Sequence, residues 1–285
     1  MSTLMLSTMV VGKTVILDPE AGASGDKPVA LVMIHGMQCE PESYKAMAEQ
    51  FQKEAAASGY KAWVGIPEFI FDAPEPVLID HYVKDTIAEL KKRGFTGENI
   101  FMSAHSLGGV RSKKKDSSNK DIKGQILMGS TLLRDKRTIS ESGTTLFNGY
   151  NTPTLTLMGL KDGLMRISRG AEAFWQQEDN IDDSQKGMFP VIAIDKASHA
   201  SFLDRTMPLP SFVSSKDLNP ELEQAEGYDI ISKSMISFMS GVLGDTSLEE
   251  TMNALKEETK TLLQPLMDGM KLEAGISMKV PCYDK

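Results

Sequence analysis

Cysteine is scarce in this chain: Cys39 and Cys282 are the only two in 285 residues. Two cysteines so far apart, without metal-ligand spacing, exclude a disulfide framework and a cysteine-based metal cluster. Histidine is scarce too, at four, so any imidazole chemistry has few candidates. Long apolar runs are missing, and none approaches the roughly 20 residues of a spanning helix. Positive charge is in deficit. Lys plus Arg number 31 against 39 for Asp plus Glu, a net −8, which argues against nucleic acid or an anionic membrane as the main partner. A basic start is lacking as well: Met1 to Val11 is mildly apolar and the first lysine is Lys13. That speaks against a signal peptide and makes the cytoplasm the default compartment, with secretion left open.

What remains is ordinary for a globular protein, 41% hydrophobic and 25% charged, in a chain long enough to bury a large core. The 18 methionines suit core filling or a pliable apolar pocket.

Along the chain, strand-like and helix-like patterns alternate. Val10 to Leu17 suggests an opening strand or hairpin at a sheet edge. Val29 to Ile34 is an unbroken apolar run, as expected of a strand buried on both faces of a parallel sheet. Tyr44, Met47, Phe51 and Ala55 share one helical face; Lys61 to Ile66 is a strand; Ile79, Val83, Ile87 and Leu90 mark a second helix closed by Gly94. Further strands are expected at Ile100 to Met102, Gln125 to Met128, Thr154 to Met158 and Val191 to Ile194, with a helix over Gly170 to Gln177 that turns Phe174 and Trp175 inward. Pro208 to Pro220 reads as a loop, and Ile231, Met235, Phe238 and Val242 as a helix on the sheet. This order predicts an α/β fold with a mostly parallel sheet covered on both faces.

The stretch that organises the rest is Asn99 to Val110. An apolar strand stops at Ala104-His105-Ser106-Leu107-Gly108, a small-x-Ser-x-small pentapeptide, with Gly109 following. A strand turning directly into a helix there makes a tight elbow with the serine at its tip, and the residues two before and two after it must be small. Ser-Ala-His-Ser-Leu-Gly-Gly resembles the nucleophile elbow of α/β-hydrolase fold serine esterases and lipases. The resemblance covers residues 10 to 243. It implies a domain over 1–243 and a C-terminal helical extension over 244–285. The extension is marked by Leu248, Met252, Leu255, Leu262, Leu266 and Met270, and surface packing, shielding of the pocket mouth and homodimerisation all stay open for it.

A serine hydroxyl needs a base and a group that orients the base. His35 belongs to a His-Gly loop and His81 to a charged helix, and the elbow turns His105 away from the nucleophile's side. Elimination leaves His199, on a loop after a buried strand, at the sheet edge where such folds place their sites. The acid should stand between serine and histidine in the chain. Asp162, in Gly159-Leu160-Lys161-Asp162-Gly163, resembles the family's Gly-x-x-Asp turn, and Asp195 is the second choice. The resemblance further implies an oxyanion hole from the N–H groups of Leu107 and Met37, in the loop His35-Gly36-Met37-Gln38. Gln38 and His105 are added as substrate-side residues. The short interval between Met128 and Thr154 leaves no room for a large cap, which is closer to dienelactone-hydrolase-like or chlorophyllase-like esterases. Pocket walls are expected from loops such as Pro67 to Pro76 and Pro208 to Pro220.

The function these readings imply is carboxylic-ester hydrolysis of a small-molecule substrate with no cofactor and no metal. Thioesterase or amidase chemistry would use the same groups, and a non-catalytic binding protein of the same fold is the alternative from another class. One segment sits poorly with the family pattern: Val110 to Gly124 is rich in lysine where a buried helix is usual. It predicts a short helix ending near Lys114 and running into a polar loop.

Overall fold

The computed structural model describes residues 14–21, 25–112, 121–132, 134–141, 143–245 and 248–276, and in the last helix the side chains from Met252 to Met270. The strands are β1 (Val15–Leu17), β2 (Lys27–Ile34), β3 (Tyr60–Ile66), β4 (Asn99–His105), β5 (Ile122–Met128), β6 (Arg137–Ile139), β7 (Thr145–Phe147), β8 (Thr154–Gly159) and β9 (Val191–Ile194). The helices are α1 (Lys45–Ala57), α2 (Pro76–Lys92), α3 (Ser106–Arg111), α4 (Ile167–Phe174), α5 (Ser211–Lys216), α6 (Gln224–Val242) and α7 (Leu248–Ile276). Seven strands form one sheet in the order β1-β3-β2-β4-β5-β8-β9. β1 runs antiparallel at the edge, and every other pairing is parallel.

The unbroken apolar run of β2 follows from two buried faces. Val29, Leu31 and Met33 enter one core with Met47 and Phe51 of α1 and Met235 and Phe238 of α6. Ala30, Val32 and Ile34 point the other way, onto Ile79, Val83 and Leu90 of α2. Alternate residues of one strand thus meet helices on opposite sides, the two-layered cover expected of a parallel sheet. This is the α/β fold with a mostly parallel sheet, covered on both faces, that the order of elements predicts.

Several local expectations change. The interval between β5 and β8 holds a separate hairpin of β6 and β7, and the proline-flanked loop after residue 208 contains α5. Phe174 is buried, but Trp175 is only partly so. The helix after the elbow ends at Arg111. Residues 113–120 of the lysine-rich segment and 10–13 of the opening strand lie outside the described residues. No helix among the described residues is long and apolar enough to cross a membrane.

The described part of the C-terminal extension closes the sheet. β9 is an edge strand, and edge strands leave N–H groups to be satisfied elsewhere. Val191 N–H donates to Glu178 Oε1 at 3.1 Å, and Ala193 N–H donates to Thr259 Oγ1 of α7 at 3.0 Å. Lys256 of α7 pairs with Glu178 Oε2 at 2.7 Å. Leu263 and Met267 bury themselves against Phe174, Val191 and Ala193.

Candidate active site

The elbow is built by the end of β4 and the start of α3. Ser106 stands between them at φ +51, a left-handed conformation that costs a non-glycine residue about 1–3 kcal/mol and persists only where its surroundings fix it. They do so here. Ala104 is fully buried, and a Cβ at Gly108 would stand 2.4 Å from the carbonyl oxygen of His35. The small residues flanking the serine are therefore a packing requirement. Leu107 is the second residue of α3, and the first N–H groups of a helix have no partner within it.

His199 opens a 3-10 turn after β9 and Asp162 lies in the loop after β8. The structure brings them together: His199 Nδ1 is 2.7 Å from Asp162 Oδ2, with both side chains buried. The other oxygen, Oδ1, accepts the N–H groups of Leu164 at 2.9 Å and Met165 at 2.6 Å. The carboxylate is thereby fixed in rotation, with one oxygen reserved for the imidazole. Asp195 is exposed, and its carboxylate accepts the N–H of Lys196.

Two residues that the sequence did not single out hold this pair. Asp217 accepts N–H groups from Gly163 (2.9 Å), His199 (3.1 Å) and Ala200 (2.8 Å), joining the acid's loop to the base's turn through one carboxylate. Gly129, at the end of β5, has φ +52, and a Cβ there would lie 2.9 Å from His199 Nδ1 and 3.3 Å from Asp162 Oδ2. A strand end followed by glycine is too common to mark such a site, and Asp217 sits in a polar loop with no pattern of its own.

The loop after β2 is ordered by its hydrogen bonds. Phe69 N–H donates to His35 Nε2 at 3.3 Å, so the ring proton sits on Nδ1, which donates to Gly36 O at 2.7 Å. Burial holds His35 below the usual histidine value, consistent with a neutral ring. Gly36 N–H donates to the Tyr44 hydroxyl at 2.8 Å, Gln38 N–H to Asp72 O at 2.8 Å and Cys39 N–H to Gly36 O at 3.4 Å. No acceptor for the Met37 N–H is found among the described residues. Its peptide is trans, so with Gly36 O turned to His35 this N–H points the opposite way. Gln38 is held at φ +57 with its N–H already engaged.

Ser106, Leu107 and His199 line one cavity of about 510 Å³. His199 Nε2 is buried with no hydrogen-bond partner among the described residues, and the Ser106 hydroxyl makes no hydrogen bond to it. The cavity walls differ from those expected. Ser130, Leu132 and Arg134 after β5, and Leu164, Met165 and Arg169 around the Asp162 loop, form them. Asp72 and Pro208 to Pro210 instead line a separate hollow of about 300 Å³ with Gln38. His105 also needs correction as a substrate-side residue. It is fully buried, its Nδ1 lies 2.7 Å from the Tyr44 hydroxyl, and it faces the core rather than the cavity. His81 is exposed and pairs with Asp85 on α2.

No protein-family model matches the chain, nor does any curated protein. Among solved structures, Est1E from Butyrivibrio proteoclasticus is similar at 12% identity and a TM-score of 0.49, over 80% of this chain and 94% of that one.

Proposed function

We propose that this protein is a serine hydrolase that cleaves carboxylic esters through an acyl-enzyme on Ser106. One observation carries the reading: a serine held at a strained strand-to-helix elbow shares a cavity with an imidazole whose far nitrogen is bonded to a buried carboxylate. Chain order, Ser106 then Asp162 then His199, agrees with that of α/β-hydrolases.

In this reading His199 Nε2 takes the proton of the Ser106 hydroxyl as Oγ attacks the ester carbon. Asp162 holds the proton on Nδ1 and stabilises the imidazolium that forms. The negative charge on the carbonyl oxygen is met by the N–H groups of Leu107 and Met37, which need no reorganisation because the helix start and the His35 bond already orient them. The tetrahedral species collapses, the C–O bond to the alcohol breaks, and His199 returns its proton to the departing oxygen. Water then attacks the acyl carbon, giving its proton to His199, and the acid leaves with Ser106 restored.

A fluorophosphonate tests this directly, since it phosphonylates only a serine made nucleophilic by its surroundings. Intact mass should show a single adduct, peptide mapping should place it on Ser106, and Ser106→Ala or His199→Ala should abolish it. Folded, monodisperse protein that takes no label would instead favour a non-catalytic binding role.

A further inference from the structure

Large apolar side chains that stay exposed gather around the candidate active site. Among the described residues these are Met37, Ile70, Phe71, Val77 and Val110, against Ile139, Leu218 and Leu266 elsewhere. Met37 follows Gly36 in the loop of the proposed oxyanion donor, and Val110 lines the cavity one turn after Ser106 on α3. The segment from Phe69 to Glu75 is tied to both sides of that site. Gln38 N–H donates to Asp72 O at 2.8 Å, and Phe69 N–H donates to His35 Nε2 at 3.3 Å. From the other side, Arg111 of α3 pairs with Glu75 at 2.6 Å and meets Pro74 O at 3.5 Å.

Within this segment Phe71 is the anomaly. Its backbone is left-handed at φ +56 and ψ 29, and Asp72 follows at φ +48. A bulky residue takes that conformation only at a cost. The turn is fixed from its inner side. Phe69 is buried with its ring edge-on to that of His35, Asp72 N–H donates to Phe69 O at 2.9 Å, and Ala73 N–H donates to Ile70 O at 3.2 Å. For stability alone such a position suits glycine or asparagine, which adopt it readily. The chain instead carries phenylalanine there at 92% exposure, so the ring buries almost nothing to offset the strain.

We infer that Ile70 and Phe71 form an apolar lip that takes an uncharged hydrophobic arm of the ester bound at Ser106, and that Phe71 sets the preference for such esters. The inference rests on the serine-hydrolase reading above, and it names the class of ester that the site takes. The occupant follows from continuity. The apolar part of the cavity lining, Leu107, Val110, Leu132, Leu164 and Met165, reaches the surface at exposed Val110 and continues across Met37 to the lip. An arm leaving Ser106 in that direction stays on apolar surface, and each methylene taken from water adds up to about fourfold in binding.

Two ester series, kept below their solubility limits, place the arm on the acyl or the alcohol side. The first runs from 4-nitrophenyl acetate to the octanoate, and the second from methyl acetate to octyl acetate. In one series kcat/KM should climb with length, and in Phe71→Asn the ratio of longest to shortest ester should fall by about tenfold or more. Phe71→Tyr, which keeps the ring, should retain most of that ratio. Phe71→Asn should melt no lower than the wild type, because asparagine tolerates the left-handed backbone. A length preference that survives Phe71→Asn, or none in either series, overturns the inference and leaves the hydrolase reading standing. So does an effect seen only with emulsified ester, which makes a lipid surface the occupant, or a dimer by sedimentation that Phe71→Asn dissociates. A marked fall in Tm makes Phe71 a packing residue and overturns it as well. If no ester turns over and no fluorophosphonate adduct forms, the hydrolase reading fails, and calorimetric titration with 2-octanone decides on the lip. Saturable binding lost in Phe71→Asn supports it, while no binding, or binding that the variant keeps, overturns it.

Discussion

The imidazole of His105 lies against that of His199, with ring centroids 4.6 Å apart and planes inclined by 38°. Two stacked imidazoles can serve a base only if the supporting one stays neutral. Burial, followed by the neighbouring His199, pushes His105 well below the ordinary histidine value. Its Nδ1 is hydrogen-bonded to the Tyr44 hydroxyl at 2.7 Å, and that hydroxyl accepts the N–H of Gly36. One buried tyrosine therefore ties the loop of the proposed oxyanion donor Met37 to the ring that supports His199.

Tyr44→Phe tests that tie, because it keeps the ring and removes only the bridging oxygen. A buried N–H and a buried ring nitrogen would lose their partner, at a stability cost of about 1–3 kcal/mol. With the Gly36 peptide less firmly held, kcat for an activated acetate ester should fall by about tenfold or more, with KM little changed. Stopped assays at saturating ester and a urea melt measure both. A variant with wild-type kcat would show that Tyr44 serves packing alone.

Asp162→Asn separates the orienting role of the acid from its structural one. The remaining side-chain oxygen can still accept from Leu164 and Met165, as Oδ1 does now, so the loop should hold. The amide nitrogen facing His199 Nδ1 would instead favour the wrong tautomer. Turnover should drop by about 10²- to 10⁴-fold with the fold intact by circular dichroism. Unchanged turnover would remove Asp162 from the proposed mechanism.

Acid should weaken the fold before the carboxylates titrate. His35 and His105 are both buried and both held below the ordinary histidine value of about 6.5, by burial first. Between the folded and unfolded values, the unfolded chain binds protons that the folded chain refuses. The stabilisation is thus present above about 6.5 and is lost as pH falls, at about 1.4 kcal/mol per pH unit for each histidine. Glu178 works in the opposite direction, since burial raises its carboxyl, but it acts nearer the carboxylate range. Denaturant titrations should show a loss of about 2 kcal/mol between pH 7 and about pH 5.5. A flat profile over that interval contradicts the neutral, buried state of the pair.

The legible parts of this molecule were those with a local signature. β2 announces itself because burial on both faces demands six apolar residues in a row, and the elbow does so because Gly108 must be small where the carbonyl of His35 crowds the helix and Ala104 is fully buried. His199 stands out by elimination among four histidines, and Asp162 by a turn that follows a strand. In the sequence Tyr44 stands out only as a member of an inward helical face. Its hydroxyl reaches Gly36 and, 61 residues away, His105, and such pairings leave no periodic trace. Asp217 was illegible for the same reason, since its three backbone partners lie 17, 18 and 54 residues away. The cavity walls differ from the proline-rich loops expected, because proline content marks a loop without saying which side of the sheet edge it covers.

The C-terminal helix offers the last test, since among the described residues its hydrogen bond to the edge strand runs through one side-chain oxygen, beside the apolar packing of Leu263 and Met267. Thr259 is fully buried, accepts from Ala193 N–H and donates to Leu255 O at 2.7 Å. Thr259→Val preserves shape and β-branching while removing the acceptor, which leaves the N–H of an edge strand buried and unpaired. The cost should be about 1–3 kcal/mol, seen as a lower Tm and as faster hydrogen exchange at Ala193 with little change at β2 in the sheet centre. The neighbouring contact of Val191 N–H with Glu178 depends on Lys256 of the same helix, so loosening α7 should raise exchange at Val191 as well. If the variant melts as the wild type does and Ala193 stays protected, α7 holds the edge by apolar packing of Leu263 and Met267 rather than by this bond.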